Sequence, residues 1–216
     1  EHSPEEGRVV SSSLTLGTKM SKRVFIVHGW DGHPGEGWFP WLKKELENNG
    51  IEVIIPQLPE AKVPKIENWV PALATAVGVP DDETYFVGHS MGCQTVLRYL
   101  DTLPESSRVG GAVFVAGFAK RLTNLGIEDG EDEAENKRIA APWLERPLGW
   151  SKIKNILPKS AAIFSDNDPF VPLDNQDDFK DKLGSQIIIE HEKSHFSGES
   201  GFTELPVALN SLFTLI

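Results

Sequence analysis

The chain has 216 residues, a formal charge of −11, and 39% hydrophobic and 25% charged residues, which fits one ordinary globular domain. That charge disfavours phosphate backbones and anionic lipid heads as partners, and no apolar run approaches the roughly 20 residues of a spanning helix. A single cysteine, Cys93, excludes an internal disulfide framework and suits a reducing, cytoplasmic compartment.

Residues 1–19, EHSPEEGRVVSSSLTLGTK, lack the basic start and continuous apolar core of a secretory signal. They read as a leader or upstream extension, expected to be disordered, although VVSSSLTL alternates weakly enough to suggest an edge strand. The expected domain is then residues 20–216. RVFIVHG is a short β-branched run of the kind buried on both faces of a parallel sheet. A glycine-rich loop follows, then a helix in which Trp38, Trp41, Leu42 and Leu46 share a face and Gly50 marks the stop. IEVIIP predicts a second strand, PKIENWVPALATAVG a helix, TYFVGHS a third strand, and SMGCQTVLRYLDTL a helix with Val96, Leu97, Leu100 and Leu103 on one side.

GGAVFVAGF predicts strand four, SAAIFSDNDP strand five and QIIIEHEKSH strand six. LDNQDDFKDKLG reads as the helix between the last two, and FTELPVALNSLFTLI as the closing helix. Strands alternating with helices imply about six mainly parallel strands with helices on both faces. The stretch 118–159 is too long for a simple crossover, so part of it is expected to form a small cap between strands four and five. Its acidic run, IEDGEDEAE, reads as a solvated loop.

Gly88-His89-Ser90-Met91-Gly92 has the form G-x-S-x-G between a strand and an amphipathic helix. A serine at such a turn sits on a strained backbone with its hydroxyl raised, and bulk at either glycine would strike the strand or the helix. The turn also aims the Met91 N–H, at a helix N-terminus, toward an oxygen that gains charge. A second such donor is expected from HGWDGHPGEGW, with the Trp30 N–H first and Asp31 second.

Serine needs a base. Of six histidines, His191 and His195 follow strand six, and the small-residue loop EKSHFSG favours His195. The His89 ring is expected to point away from the serine. The acid is expected from FSDNDPFVP, where Asp166 and Asp168 compete; the stiffening Pro169-Phe170-Val171 favours Asp168. The order Ser90, Asp168, His195 is one in which nucleophile, orienter and base occur on this kind of sheet. Cys93 reads as buried filler.

The pieces VFIVHGWDGHPGEGWFPWLKKEL, YFVGHSMGCQTVLRYL, DNDPFVP and SHFSGESGF resemble the small serine hydrolases grouped with retinoblastoma-binding protein nine and the bacterial YdeN proteins. The resemblance implies a shortened α/β-hydrolase fold, the triad Ser90, Asp168 and His195, and hydrolysis of small carboxylic esters or amides. The retinoblastoma-binding pattern L-x-C-x-E is absent, since Cys93 lies in GCQT, so that partner is not carried over. No metal or cofactor is implied. Phe118, Trp143 and Trp150 are candidate acyl-pocket residues, although large aromatics more often pack a core. The resulting expectation is a serine hydrolase that cleaves small carboxylic esters through an acyl-enzyme on Ser90. An amidase or peptidase on the same three residues, and a partner-binding relative without catalysis, are the alternatives.

Overall fold

The computed structural model describes residues 21–125 and 132–216. The expected leader and its weak edge strand lie outside these residues. Six strands form one parallel sheet in the order β2-β1-β3-β4-β5-β6. They are β1 Arg23–Val27, β2 Glu52–Ile54, β3 Thr84–His89, β4 Gly111–Val115, β5 Ser160–Ser165 and β6 Gln186–Glu190. The helices are α1 Phe39–Asn48, α2 Ile66–Val77, α3 Met91–Thr102, α4 Glu133–Glu145, α5 Trp150–Ile156, α6 Gln176–Asp178 and α7 Pro206–Leu215. All six expected strands are present and all pairs are parallel. Among the described residues no helix is long and apolar enough to cross a membrane.

The strand period of two sorts the core into two layers. Phe25, Val27, Phe86, Phe114 and Phe164 face one side, packing against Trp69 and Leu73 of α2, Val96 and Leu100 of α3, and Ile153 of α5. Val24, Ile26, Val87, Val113 and Ile163 face the other, against Phe39 and Leu42 of α1 and Ala208 and Leu212 of α7. Strands covered on both faces carry no polar alternation, which is why β1 and β4 read as unbroken apolar runs.

Two expectations need correction. LDNQDDFKDKLG is not one regular helix: a 3-10 turn at Leu173–Asn175 leads into α6, and a π turn at Phe179–Leu183 ends at Gly184 with φ +76°. The buried Asn175 side chain is committed elsewhere, accepting from the Ala119 and Lys120 N–H groups and donating to Arg121 O. The acidic run is not all loop either. Asp132 caps α4 by accepting from the Ala134 and Glu135 N–H groups. Glu133 and Glu135 fill its first turn, where the helix dipole favours anions. The run's earlier part lies outside the described residues.

Strand order places the site. The chain lays β2 to one side of β1, then crosses to put β3 on the other side. The carboxyl ends of β1 and β3 therefore diverge at a switch point, where open α/β sheets leave a crevice. The first loop leaves β1 there, and Ser90 leaves β3 beside it.

Candidate active site

Ser90 is the junction between β3 and α3, with φ 51° and ψ −118°. A non-glycine residue holds such a conformation only where its surroundings over-determine it. Its N–H donates to Val115 O at 2.9 Å, and its carbonyl accepts from the Cys93 N–H at 3.0 Å. The two glycines are required by close backbone approach. A Cβ on Gly88 would lie 2.9 Å from the Cys93 backbone, and one on Gly92 would lie 2.7 Å from His28 O and closer still to Val27 O. The first therefore lets β3 run against α3, and the second lets α3 run against the end of β1. Cys93 is fully buried with its thiol on Val115 O. Burial pushes that thiol up, away from the thiolate form.

The loop after β1 is locked from within. His28 is fully buried; its Nε2 accepts from the Leu58 N–H at 3.1 Å, so its Nδ1–H donates to Gly29 O at 2.8 Å. Burial lowers its pKa, which keeps the ring neutral for both bonds. The Asp31 N–H, second candidate for an oxyanion donor, is already spent on Ala61 O at 2.9 Å. Among the described residues the Trp30 and Met91 N–H groups have no acceptor. Gly29 lies against Ser90, since a Cβ there would be 3.2 Å from the serine Cβ. Glu36, farther along the loop, accepts from the His33 N–H, and burial raises its carboxyl above the usual range.

The loops after β5 and β6 settle which acid meets which histidine. His195 Nδ1 and Asp168 Oδ2 are 2.8 Å apart, with side chains only 12% and 2% exposed. The other Asp168 oxygen accepts from the Phe170 and Val171 N–H groups at 2.9 and 3.0 Å, which holds the carboxylate in place beside the imidazole. The rejected candidates pair with each other: His191 Nδ1 lies 2.7 Å from Asp166 Oδ2, at 84% and 37% exposure. Between the two pairs, the Lys193 N–H donates to Ser165 Oγ and the Ser194 N–H to Asn167 Oδ1. The four consecutive residues 165–168 thus hold the segment 191–195 rung by rung. Ser90 Oγ makes no hydrogen bond with a described residue, and the ring of its neighbour His89 lies 5.0 Å from the His195 ring.

The proposed pocket aromatics are placed elsewhere. Phe118 is fully buried and Trp143 is 1% exposed. Trp143 stacks edge-on to Trp69 at 5.8 Å, and its indole donates to Pro64 O. Trp150 lies beneath the Lys182 ammonium. Phe118 and Trp143 are core positions, closed to an acyl chain unless the core opens, whereas Trp150 is half-buried against the edge of the same core. A groove of about 540 Å³ lies in this insert between the 122–125 loop and α4, with Leu122, Leu125, Ala140 and Leu144 beside the polar Thr123, Lys137 and Glu145. No group of three or more His, Cys, Asp or Glu side chains among the described residues is arranged to hold a metal ion.

Sequence reasoning missed the working partners of His89 and Trp38. The His89 ring reaches the base loop, where Nε2 lies 2.8 Å from His195 O. The Trp38 indole donates to Phe196 O at 2.9 Å. A histidine inside an otherwise apolar strand was the available signal.

A strained serine elbow at the switch point, with a buried acid–histidine pair in the adjoining loops, defines the class of α/β-fold serine hydrolases. The chain matches the serine hydrolase family over residues 24–214 and belongs to it. It is 31% identical to the putative hydrolase YdeN of Bacillus subtilis over 193 residues, covering 89% of this chain and 95% of that one. It is 27% identical to the rat serine hydrolase RBBP9, covering 82% and 87%. The crystal structure of the B. subtilis ydeN gene product superposes with a TM-score of 0.80 at 29% identity, covering 90% of this chain and 98% of that one. The family and the shortened α/β-hydrolase fold expected from the sequence are both present.

Proposed function

We propose that the protein hydrolyses small carboxylic esters through an acyl-enzyme on Ser90. The observation that carries this reading is the buried His195–Asp168 pair delivered to the loop beside the strained Ser90 elbow. In the first half-reaction His195 Nε2 takes the Ser90 hydroxyl proton as Oγ attacks the ester carbonyl carbon. The carbonyl electron pair moves onto oxygen, and that oxyanion receives the Met91 and Trp30 N–H groups. The C–O bond then breaks, and the alcohol leaves with the proton from His195. Water repeats the sequence on the acyl-enzyme, with His195 again as base, and releases the acid.

Asp168 holds the imidazole with Nδ1 protonated, so that Nε2 is free to accept. The unused Trp30 and Met91 N–H groups support the oxyanion assignment, since preorganised donors cost no rearrangement as charge develops. The Ser90–His195 hydrogen bond that this reading needs forms as substrate binds, since catalytic hydrogen bonds are often long in the free enzyme and close in the complex.

The test is turnover of nitrophenyl esters of graded acyl length beside the matched nitroanilides, with Ser90→Ala as the blank. Ester turnover that vanishes in the variant is expected. Faster anilide turnover would move the reading to an amidase or peptidase. No turnover of any member would favour a binding protein on this fold.

A further inference from the structure

The base sits on a backbone that ought not to hold still. Glu192, Ser194 and Phe196 all have positive φ, at 55°, 48° and 55°, so His195 is flanked on both sides by left-handed residues that are not glycine. Such residues are strained, and a segment with several persists only where outside contacts fix it. The rungs from residues 165–167 end at the Ser194 N–H. Beyond that point the two successive carbonyls of the segment, His195 O and Phe196 O, each meet one buried ring N–H: His89 Nε2 at 2.8 Å and Trp38 Nε1 at 2.9 Å.

We propose that His89 and Trp38 act together as a clamp that positions the catalytic base, by holding the His195 and Phe196 peptide units from below the site. This inference rests on the serine hydrolase reading given above. Both donors come from the elements that build the nucleophile side: His89 is the residue before Ser90, and Trp38 precedes α1. The two rings pack edge-on to each other at 6.0 Å, and both pack on Phe39. A carbonyl can only accept, so His89 Nε2 must carry the proton. Burial brings the His89 pKa down to about 3, so the ring stays neutral and the bond keeps one sense throughout the working pH range. The clamp registers the base against the nucleophile through one side chain, because whatever moves β3 moves Ser90 and the His195 carbonyl together.

Neither ring takes or gives a proton in the reaction written above, so both are positioning residues, and the His89 ring also packs on the His195 ring at 5.0 Å between centroids. Removing the His89 donor leaves a half-buried carbonyl unpaired and frees the left-handed turn to relax. A displacement of the base by about 1 Å would cost up to about a hundredfold in kcat. The experiment compares His89→Leu, His89→Gln and Trp38→Phe with the unaltered protein, after thermal unfolding confirms that each folds. The readouts are kcat and KM on nitrophenyl acetate and the proton NMR signal of the His195 Nδ1–H bonded to Asp168.

His89→Leu should lose about ten- to a hundredfold in kcat with little change in KM, and its Nδ1–H signal should broaden. His89→Gln, whose Nε2 can reach the same carbonyl, should recover most of both. Trp38→Phe keeps a ring and loses only the donor, and should show a smaller loss of the same kind. It carries the test if His89→Leu does not fold. Unchanged kcat and an unchanged signal in the donor-less variants would overturn the clamp, as would a glutamine variant no better than leucine. An unaltered protein that turns over no ester would count against the esterase reading alone, because the NMR signal still reports the position of the base.

Discussion

Gly92→Ala tests the elbow where its geometry is least forgiving. The added Cβ would stand 2.8 Å from Val27 C and 2.7 Å from His28 O, both main-chain atoms of the β1 end. Neither can rotate aside as a side-chain tip could. Val27 O is closer still, so restoring ordinary van der Waals separations requires α3 or the end of β1 to retreat by about 1 Å or more. Overpacking of this kind typically costs about 1–3 kcal/mol in stability. The greater effect should fall on turnover. Met91 and the loop bearing Trp30 lie on opposite sides of this contact, so prying them apart widens the gap between the two oxyanion donors. Losing one such donor costs on the order of 10²–10³ in rate. Urea unfolding and ester kinetics on the purified variant measure the two quantities. A variant that keeps full kcat and a wild-type midpoint would refute the argument that backbone contact, and not turn conformation alone, requires glycine at this position.

Other substitutions separate the two acid–histidine pairs and the buried ring. Asp168→Asn should lower kcat by roughly 10⁴, the scale seen when the acid of such a triad is neutralised. His191→Ala breaks an exposed pair of little energetic weight and should change kcat by no more than about fivefold; the two variants on one ester decide between the pairs. In acid, His89 must bind a proton on unfolding that it excludes when folded, since its pKa rises from about 3 to about 6.5. Its contribution to stability is therefore complete above pH 6.5 and is lost as pH falls toward 3, at about 1.4 kcal/mol per pH unit. Urea midpoints at pH 7 and pH 4.5 should converge in His89→Gln by about 3 kcal/mol relative to the unaltered protein; parallel behaviour would contradict it.

What could be read from the sequence was whatever a short stretch determines alone. Gly88 and Gly92 announce the elbow because their small size answers contacts made within one strand–turn–helix unit and its neighbouring strand. Asp168 stood out from Asp166 because Pro169-Phe170-Val171 stiffens its loop, and the structure adds the Phe170 and Val171 N–H groups as donors to its carboxylate. The clamp was not legible, since His89 meets a carbonyl 106 residues away and Trp38 one 158 residues away. No periodicity encodes such pairings. Phe118 and Trp143, offered as pocket candidates, lie in the core for a related reason. Aromatic content marks apolar surface but does not say whether substrate or another ring will cover it, and at Trp143 the ring of Trp69 does.

The account turns on Ser90 being a nucleophile activated by His195. Incubating the folded protein with a fluorophosphonate and mapping the modified peptide by mass spectrometry examines that directly. The predicted result is one adduct on the serine between Gly88 and Gly92, formed far more slowly in His195→Ala and absent in Ser90→Ala. A folded protein that takes up no probe, or takes it up equally well without His195, would contradict it.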